Sequence, residues 1–281
     1  RPHISGGSGS SGSSGGVAAG LPARTQSIRC PSPALGGSLP AEVYLPAGYA
    51  PGRRYPVIYF LHGLPAGPTS YQGYGFVASA LAGSGPQAIV VAAQGARQNN
   101  SDREYLDWDA QENWPLAIAQ DLPHCIDSRY STIPGRYGRA LIGLSAGGYG
   151  AFNIGLRNLG QFAAIESWSG YFVATDPAGD QVLDLGSTAA NSAALVPRGP
   201  ALRSALAARP SLVAFYVGIQ DARFLTMNRQ YDASLRQSGI THTFSVYPGG
   251  HSATLWGAQA RSWLGMALGY LAAGRRHPAH S

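Results

Sequence analysis

Residues 140–156 read Ala140-Leu-Ile-Gly-Leu-Ser-Ala-Gly-Gly-Tyr-Gly-Ala-Phe-Asn-Ile-Gly-Leu156. The first four residues form a short apolar run, as expected of a strand buried on both faces. The stretch after Ser145 begins with small residues and becomes an apolar helical pattern. Between the two, Gly143-Leu144-Ser145-Ala146-Gly147 is a Gly-x-Ser-x-Gly motif. Strand, tight turn and helix in that order make a nucleophile elbow, which exposes the serine Oγ. Small flanking residues let such a turn close, and the helix N-terminus favours developing negative charge. The pattern alone is weak in a chain with 38 glycines, and Gly12-Ser13-Ser14-Gly15-Gly16 also fits it. That second copy has no strand before it and no apolar helix after it. Ser145 is therefore the candidate nucleophile, and Ser14 is not.

Similar short apolar runs lie on either side of the elbow. They are 55–61, 88–93, 162–165 and 212–217, with a shorter alternating run at 243–247. Helical patterns fall between them, at 74–83, 113–128, 146–158, 223–238 and 254–273. Alternation of this kind predicts a mostly parallel sheet covered by helices on both faces. Runs at 27–34 and 40–45 have no helix between them, which predicts an antiparallel pair at one edge.

A serine hydroxyl needs a base, and on an elbow of this kind the chain order is serine, acid, histidine. His251 follows Tyr247-Pro-Gly-Gly250, in a loop at the carboxyl end of the last strand and on the same side as the elbow. His242 reads as a strand start, and His277 and His280 lie at the C-terminal end. His251 is the candidate base. Asp221, in Gly218-Ile-Gln-Asp221, stands just past another strand and is the candidate acid that orients it. The same position also suits the N-cap of the following helix. Asp176, Asp180 and Asp184 fall in an irregular segment, and Asp232 falls mid-helix.

The run 55–61 leads into Leu61-His62-Gly63-Leu64-Pro65-Ala66-Gly67. One oxyanion donor is expected from this loop and the other from the residue after the nucleophile. The backbone N–H groups of Leu64 and Ala146 are the candidates, with Gly63 as the alternative to Leu64. His62 reads as a residue that holds the loop.

Taken together, these segments resemble the esterase family of α/β-hydrolases. That family includes esterase D-type, feruloyl, acetyl xylan and enterochelin esterases and, more distantly, the mycolyltransferases. The resemblance runs from about Ile28 to Leu271. It is carried by Ala41-Glu-Val-Tyr-Leu-Pro46, Arg54-Tyr-Pro-Val-Ile-Tyr-Phe-Leu-His-Gly63, Asp121-Leu-Pro-His-Cys-Ile-Asp127, Ile142-Gly-Leu-Ser-Ala-Gly-Gly-Tyr-Gly-Ala151, Gly218-Ile-Gln-Asp221 and Gly249-Gly-His251. It implies the α/β-hydrolase fold and places the family's Ser, Asp and His on Ser145, Asp221 and His251. Three departures stand out. Ala146 replaces a common Met. The loop after Gly63 reads Leu-Pro-Ala without an extra Gly, and its Gly63-Leu64 resembles the mycolyltransferase loop. The first aromatic after His251 is Trp256, five positions on.

The resemblance implies a serine carboxylic-ester hydrolase working through an acyl-enzyme, with no metal or organic cofactor. Transfer of the acyl group to a sugar hydroxyl uses the same residues, and a non-catalytic binding module on the same scaffold is the third reading. Trp114, Trp168, Tyr171 and Trp256 are the candidate substrate-binding aromatics, suited to an aromatic acyl group or a sugar. The acidic stretch 99–112 lacks regular calcium-loop spacing and reads as a solvated loop shaping the pocket. Segment 172–205 reads as an insertion that sets substrate choice.

Composition limits the remaining options. The chain has 281 residues, 44% of them hydrophobic, and a net charge of +6. All 20 basic residues are Arg, scattered singly or in pairs, so no nucleic-acid-binding patch is expected. No apolar stretch is long enough to span a membrane. Residues 1–20 include a Gly/Ser-rich segment, 21–274 read as one domain, and 275–281 read as a tail. Cys30 and Cys125 are compatible with one disulfide or with two buried thiols. With a leader already removed, the expected location is secreted or cell-envelope associated.

Overall fold

The computed structural model describes residues 23–83, 85–95, 105–175 and 181–276. The Gly/Ser-rich segment with Ser14, residues 99–104, Asp176, Asp180 and residues 277–281 lie outside them. Eight strands form one sheet: β1 (Arg24–Ser32), β2 (Gly37–Leu45), β3 (Val57–Leu61), β4 (Ile89–Ala93), β5 (Arg139–Leu144), β6 (Ala164–Trp168), β7 (Leu212–Gly218) and β8 (Thr243–Tyr247). Their spatial order is β1-β2-β4-β3-β5-β6-β7-β8. The first pair is antiparallel, and β2 joins β4 antiparallel. Every other pairing is parallel.

Alternation along the strands divides the core into two layers. Val57, Tyr59 and Leu61 of β3 face one cluster, and Ile58 and Phe60 face the other. The first layer is covered by α2 (Trp114–Leu116), α3 (Leu122–Arg129), α4 (Ala146–Gly155), α6 (Gly199–Ala208) and α7 (Leu225–Gln237). The second is covered by α1 (Gly75–Ala80) and α8 (Ala253–Arg276). A π-helical turn at Ala117–Asp121 joins α2 to α3, so the expected helix 113–128 is one path with an irregular middle.

Cys30 of β1 and Cys125 of α3 form a disulfide with Cα atoms 5.6 Å apart. It pins the antiparallel edge to the helix beneath it. Arg139 Nη2 and Asp127 Oδ2, 2.6 Å apart, tie α3 to the start of the elbow strand.

Two sequence expectations change. The C-terminal helix does not stop at 273. It continues through Arg276 because Arg275 donates to the Tyr137 carbonyl at 2.7 Å. Segment 172–205, for which the sequence shows no helical pattern, forms α5 (Thr188–Ala194) and α6 among its described residues. Short Ala-rich helices of this kind give little apolar periodicity. Here the end of α5 is held by Tyr149, whose hydroxyl donates to the Ala194 carbonyl at 2.6 Å, and by Arg157 bonded to the Leu195 carbonyl at 2.9 Å.

Candidate active site

The site lies at the carboxyl ends of the parallel strands, where β5 turns into α4. Ser145 has φ 54° and ψ −122°, outside the comfortable regions for a non-glycine residue. The turn is held from both sides. Ser145 N–H donates to the Trp168 carbonyl at 2.9 Å, and the Ser145 carbonyl accepts from Tyr149 N–H at 3.1 Å. The glycines of the motif are steric necessities. A Cβ on Gly143 would stand 2.1 Å from the Gly147 carbonyl oxygen.

His251 stands in the loop between β8 and α8, and Asp221 in the loop after β7. The two loops are laced together. Gln220 N–H donates to the Gly249 carbonyl at 3.0 Å, and the Gln220 side chain accepts from Gly249 N–H. Asp221 is buried, and its Oδ2 lies 2.8 Å from His251 Nδ1. Its other oxygen accepts from Phe224 N–H at 3.2 Å, so the residue also caps the turn leading into α7. His251 Nε2 lies 2.9 Å from Ser145 Oγ. A proton on Nδ1, held by the carboxylate, leaves the Nε2 lone pair facing the hydroxyl. Ser145, His251 and Asp221 are thus joined in one hydrogen-bonded chain.

The competing residues are engaged elsewhere. His242 contacts Asp232 and the Ile240 carbonyl, both at 2.8 Å. Asp232 also pairs with Arg236, and Asp184 bonds Gly186 N–H and Asn191.

Ala146 is the first residue of α4, so its N–H is one of the unpaired donors of a helix start. Gly63 and Leu64 line the same pocket as Ser145. A Cβ on Gly63 would lie 3.0 Å from the Ser145 Cβ, so the loop passes directly over Ser145. His62 anchors that loop. Its Nε2 accepts from Gly95 N–H at 2.8 Å, its Nδ1 faces the Gly63 carbonyl at 2.8 Å, and its own carbonyl accepts from the Tyr105 hydroxyl. Burial pushes the imidazole down to about 4, and it serves as a neutral strut.

Of the four expected substrate-binding aromatics, only Trp256 lines the pocket. Its ring stands edge-on to His251 at 5.1 Å, and its Nε1 donates to Ser169 Oγ at 3.1 Å. The other three belong to the core. Trp168 is the last residue of β6, because that strand runs past 165, and alternation turns its ring to the α8 layer. Trp114 is buried at the start of α2. Tyr171 stacks on Tyr149 at 5.2 Å and supports Phe224, whose ring lies 5.3 Å from that of His251.

Sequence reasoning missed three contributors. Ser169 has φ 49°, a strained position that aims its hydroxyl at Trp256. Tyr74 lines the pocket, and burial raises its hydroxyl to about 12, so it is a donor at neutral pH. Arg223 lines the pocket beside His251. Only its position two residues after Asp221 hinted at this.

A family model described as "Putative esterase" matches residues 32–262. Esterases of two Mycobacterium tuberculosis strains are each 27% identical over 247 residues, covering 78% of this chain. The chain spans about half the length of these curated relatives, 53%. Among solved structures, a ferulic acid esterase superposes with a TM-score of 0.74 at 22% identity, over 89% of this chain and all of that one. The Mycobacterium tuberculosis protein MPT51 (FbpC1) gives 0.65 at 20% identity, over 87% of this chain and 99% of its own. At these identities the structural likenesses speak to the fold alone, which is that of the α/β-hydrolases.

Proposed function

The chain belongs to the esterase family, and on that premise we propose that it hydrolyses carboxylic esters through a covalent acyl-enzyme on Ser145. His251 takes the Ser145 proton as Oγ attacks the ester carbonyl. Asp221 keeps the imidazole oriented and stabilises it once charged. The N–H groups of Leu64 and Ala146 receive the oxyanion, and one such donor is worth on the order of 10²–10³ in kcat. His251 then returns its proton to the departing alcohol. A water takes the vacated place and gives a proton to His251 as it attacks the acyl carbonyl. The acid leaves and Ser145 is restored.

The observation that carries this reading is the unbroken path from Asp221 through His251 to Ser145, at 2.8 and 2.9 Å. Three groups from separate loops meet at hydrogen-bond distance in the order the chemistry needs. Labelling with a fluorophosphonate, together with p-nitrophenyl ester turnover, tests it. Wild type should label once and turn over ester. Ser145→Ala should not label and should lose on the order of 10⁴-fold or more in rate. Turnover within tenfold of wild type would reject the assignment.

We also propose that the protein works outside the reducing cytosol, secreted or held at the cell envelope. The Cys30–Cys125 disulfide supports this, because such bonds persist in oxidising compartments. Among the described residues, no helix is long and apolar enough to cross a membrane.

A further inference from the structure

We infer that Arg223 selects esters that carry a carboxylate within its reach of the scissile bond. This inference rests on the esterase reading above and narrows its substrate class.

Arg223 shares the pocket with Ser145 and His251. Around it stand Gly63, Leu64, Pro65, Leu144 and Trp256, none of which carries a charge. Ser70 and Tyr74 add hydroxyls, and among the described residues no acidic side chain lines the pocket. Asp221 is buried behind His251, with both carboxylate oxygens already engaged. Among the described residues, none in the pocket therefore neutralises the guanidinium.

Several arginines of this chain are tied down. Arg136 bonds the Leu159 and Pro210 carbonyls, Arg139 pairs with Asp127, and Arg275 bonds the Tyr137 carbonyl. Arg223 is exposed and has no such partner among the described residues. Its backbone is nonetheless fixed. It lies inside the turn closed by Phe224 N–H on the Asp221 side chain and Leu225 N–H on the Asp221 carbonyl. The same residue that orients His251 thus sets where the Arg223 side chain begins.

A guanidinium is always charged and presents a planar fork that matches a carboxylate with two parallel hydrogen bonds. At the mouth of a site in a chain of net charge +6, it also draws anions inward. A neutral ester makes no use of either property.

The test compares two matched pairs of esters. The acyl-side pair is the p-nitrophenyl ester of pentanoic acid and the mono-p-nitrophenyl ester of glutaric acid. The alcohol-side pair is methyl 4-acetoxybenzoate and 4-acetoxybenzoate. The readout is the ratio of kcat/KM within each pair, which cancels any general change in activity. In at least one pair, Arg223→Gln should lower the charged-to-neutral ratio by about three- to tenfold, the range of an exposed to partly shielded ion pair. Arg223→Lys should keep much of it, and added salt should weaken the wild-type preference. If both ratios are the same in wild type and Arg223→Gln while neutral esters are still hydrolysed, this inference fails and the esterase reading stands. If wild type hydrolyses none of the four, both fall.

Discussion

Gly147 packs against Leu61 so closely that a Cβ on Gly147 would stand 2.0 Å from the Leu61 carbonyl oxygen. Leu61 ends β3 and Gly147 is the second residue of α4, so this contact sets the elbow beside the loop at 62–64. Gly147→Ala should force the two apart, and a misplacement of about 1 Å in such a site costs on the order of 10²-fold in rate. Gly257→Ala is the matched control. It lies in α8, where an added Cβ meets nothing within 4 Å. It should raise stability by up to about 1 kcal/mol, the helix preference of Ala over Gly. Ester turnover and thermal unfolding of both variants check this, and a fully active Gly147→Ala would contradict it.

Asp221→Asn should preserve the fold and lower the rate by up to about 10⁴-fold. The amide can still accept from Phe224 N–H. It carries no charge to stabilise the imidazolium, and it favours the wrong histidine tautomer. Asp184→Asn should cost little activity, because Asp184 is exposed and bonds only its own loop and Asn191. Parallel kinetics on the two variants separate the roles. A nearly fully active Asp221→Asn would show that another acid serves His251.

The parts that could be read from the sequence are those with a local signature. The elbow at 143–147 combines a strand period, small residues and a helix start. Asp221 and His251 each follow a strand, so their side of the sheet was fixed by connectivity. The aromatics were less legible because a ring's direction depends on strand register. Extending β6 by three residues places Trp168 in the α8 layer. Trp256 reaches His251 only because the first turn of α8 brings it back over the loop and Ser169 holds its indole. Arg223 and Tyr74 reach the pocket through loop paths that leave no periodic trace.

The Cys30–Cys125 bond closes a loop with a sequence separation of 95. Cross-links of this span restrict the unfolded chain, and their removal costs about 2–4 kcal/mol. Cys30→Ala with Cys125→Ala should therefore unfold earlier in denaturant than wild type, without loss of the Ser145–His251 geometry. Wild type unfolded without reductant should show no titratable thiol, and detection of two thiols there would contradict the bond.

His62 makes the loop at 62–64 sensitive to acid. The ring is buried and bonded in its neutral form, with Nε2 accepting from Gly95 N–H at 2.8 Å. Burial lowers it from 6.5 to about 4, so between those values the unfolded chain binds a proton that the folded chain does not. Stability from this group is complete above about pH 6.5 and drains away as pH falls toward 4. At 1.36 kcal/mol per pH unit that comes to about 3 kcal/mol. Protonation of Nε2 would set an N–H against the Gly95 N–H and loosen the strut behind Gly63 and Leu64. His62→Gln should flatten the stability profile over this interval. Proton NMR of the His62 ring checks the cause directly: a titration near 6.5 in the folded protein would sink the argument, and one near 4 would uphold it.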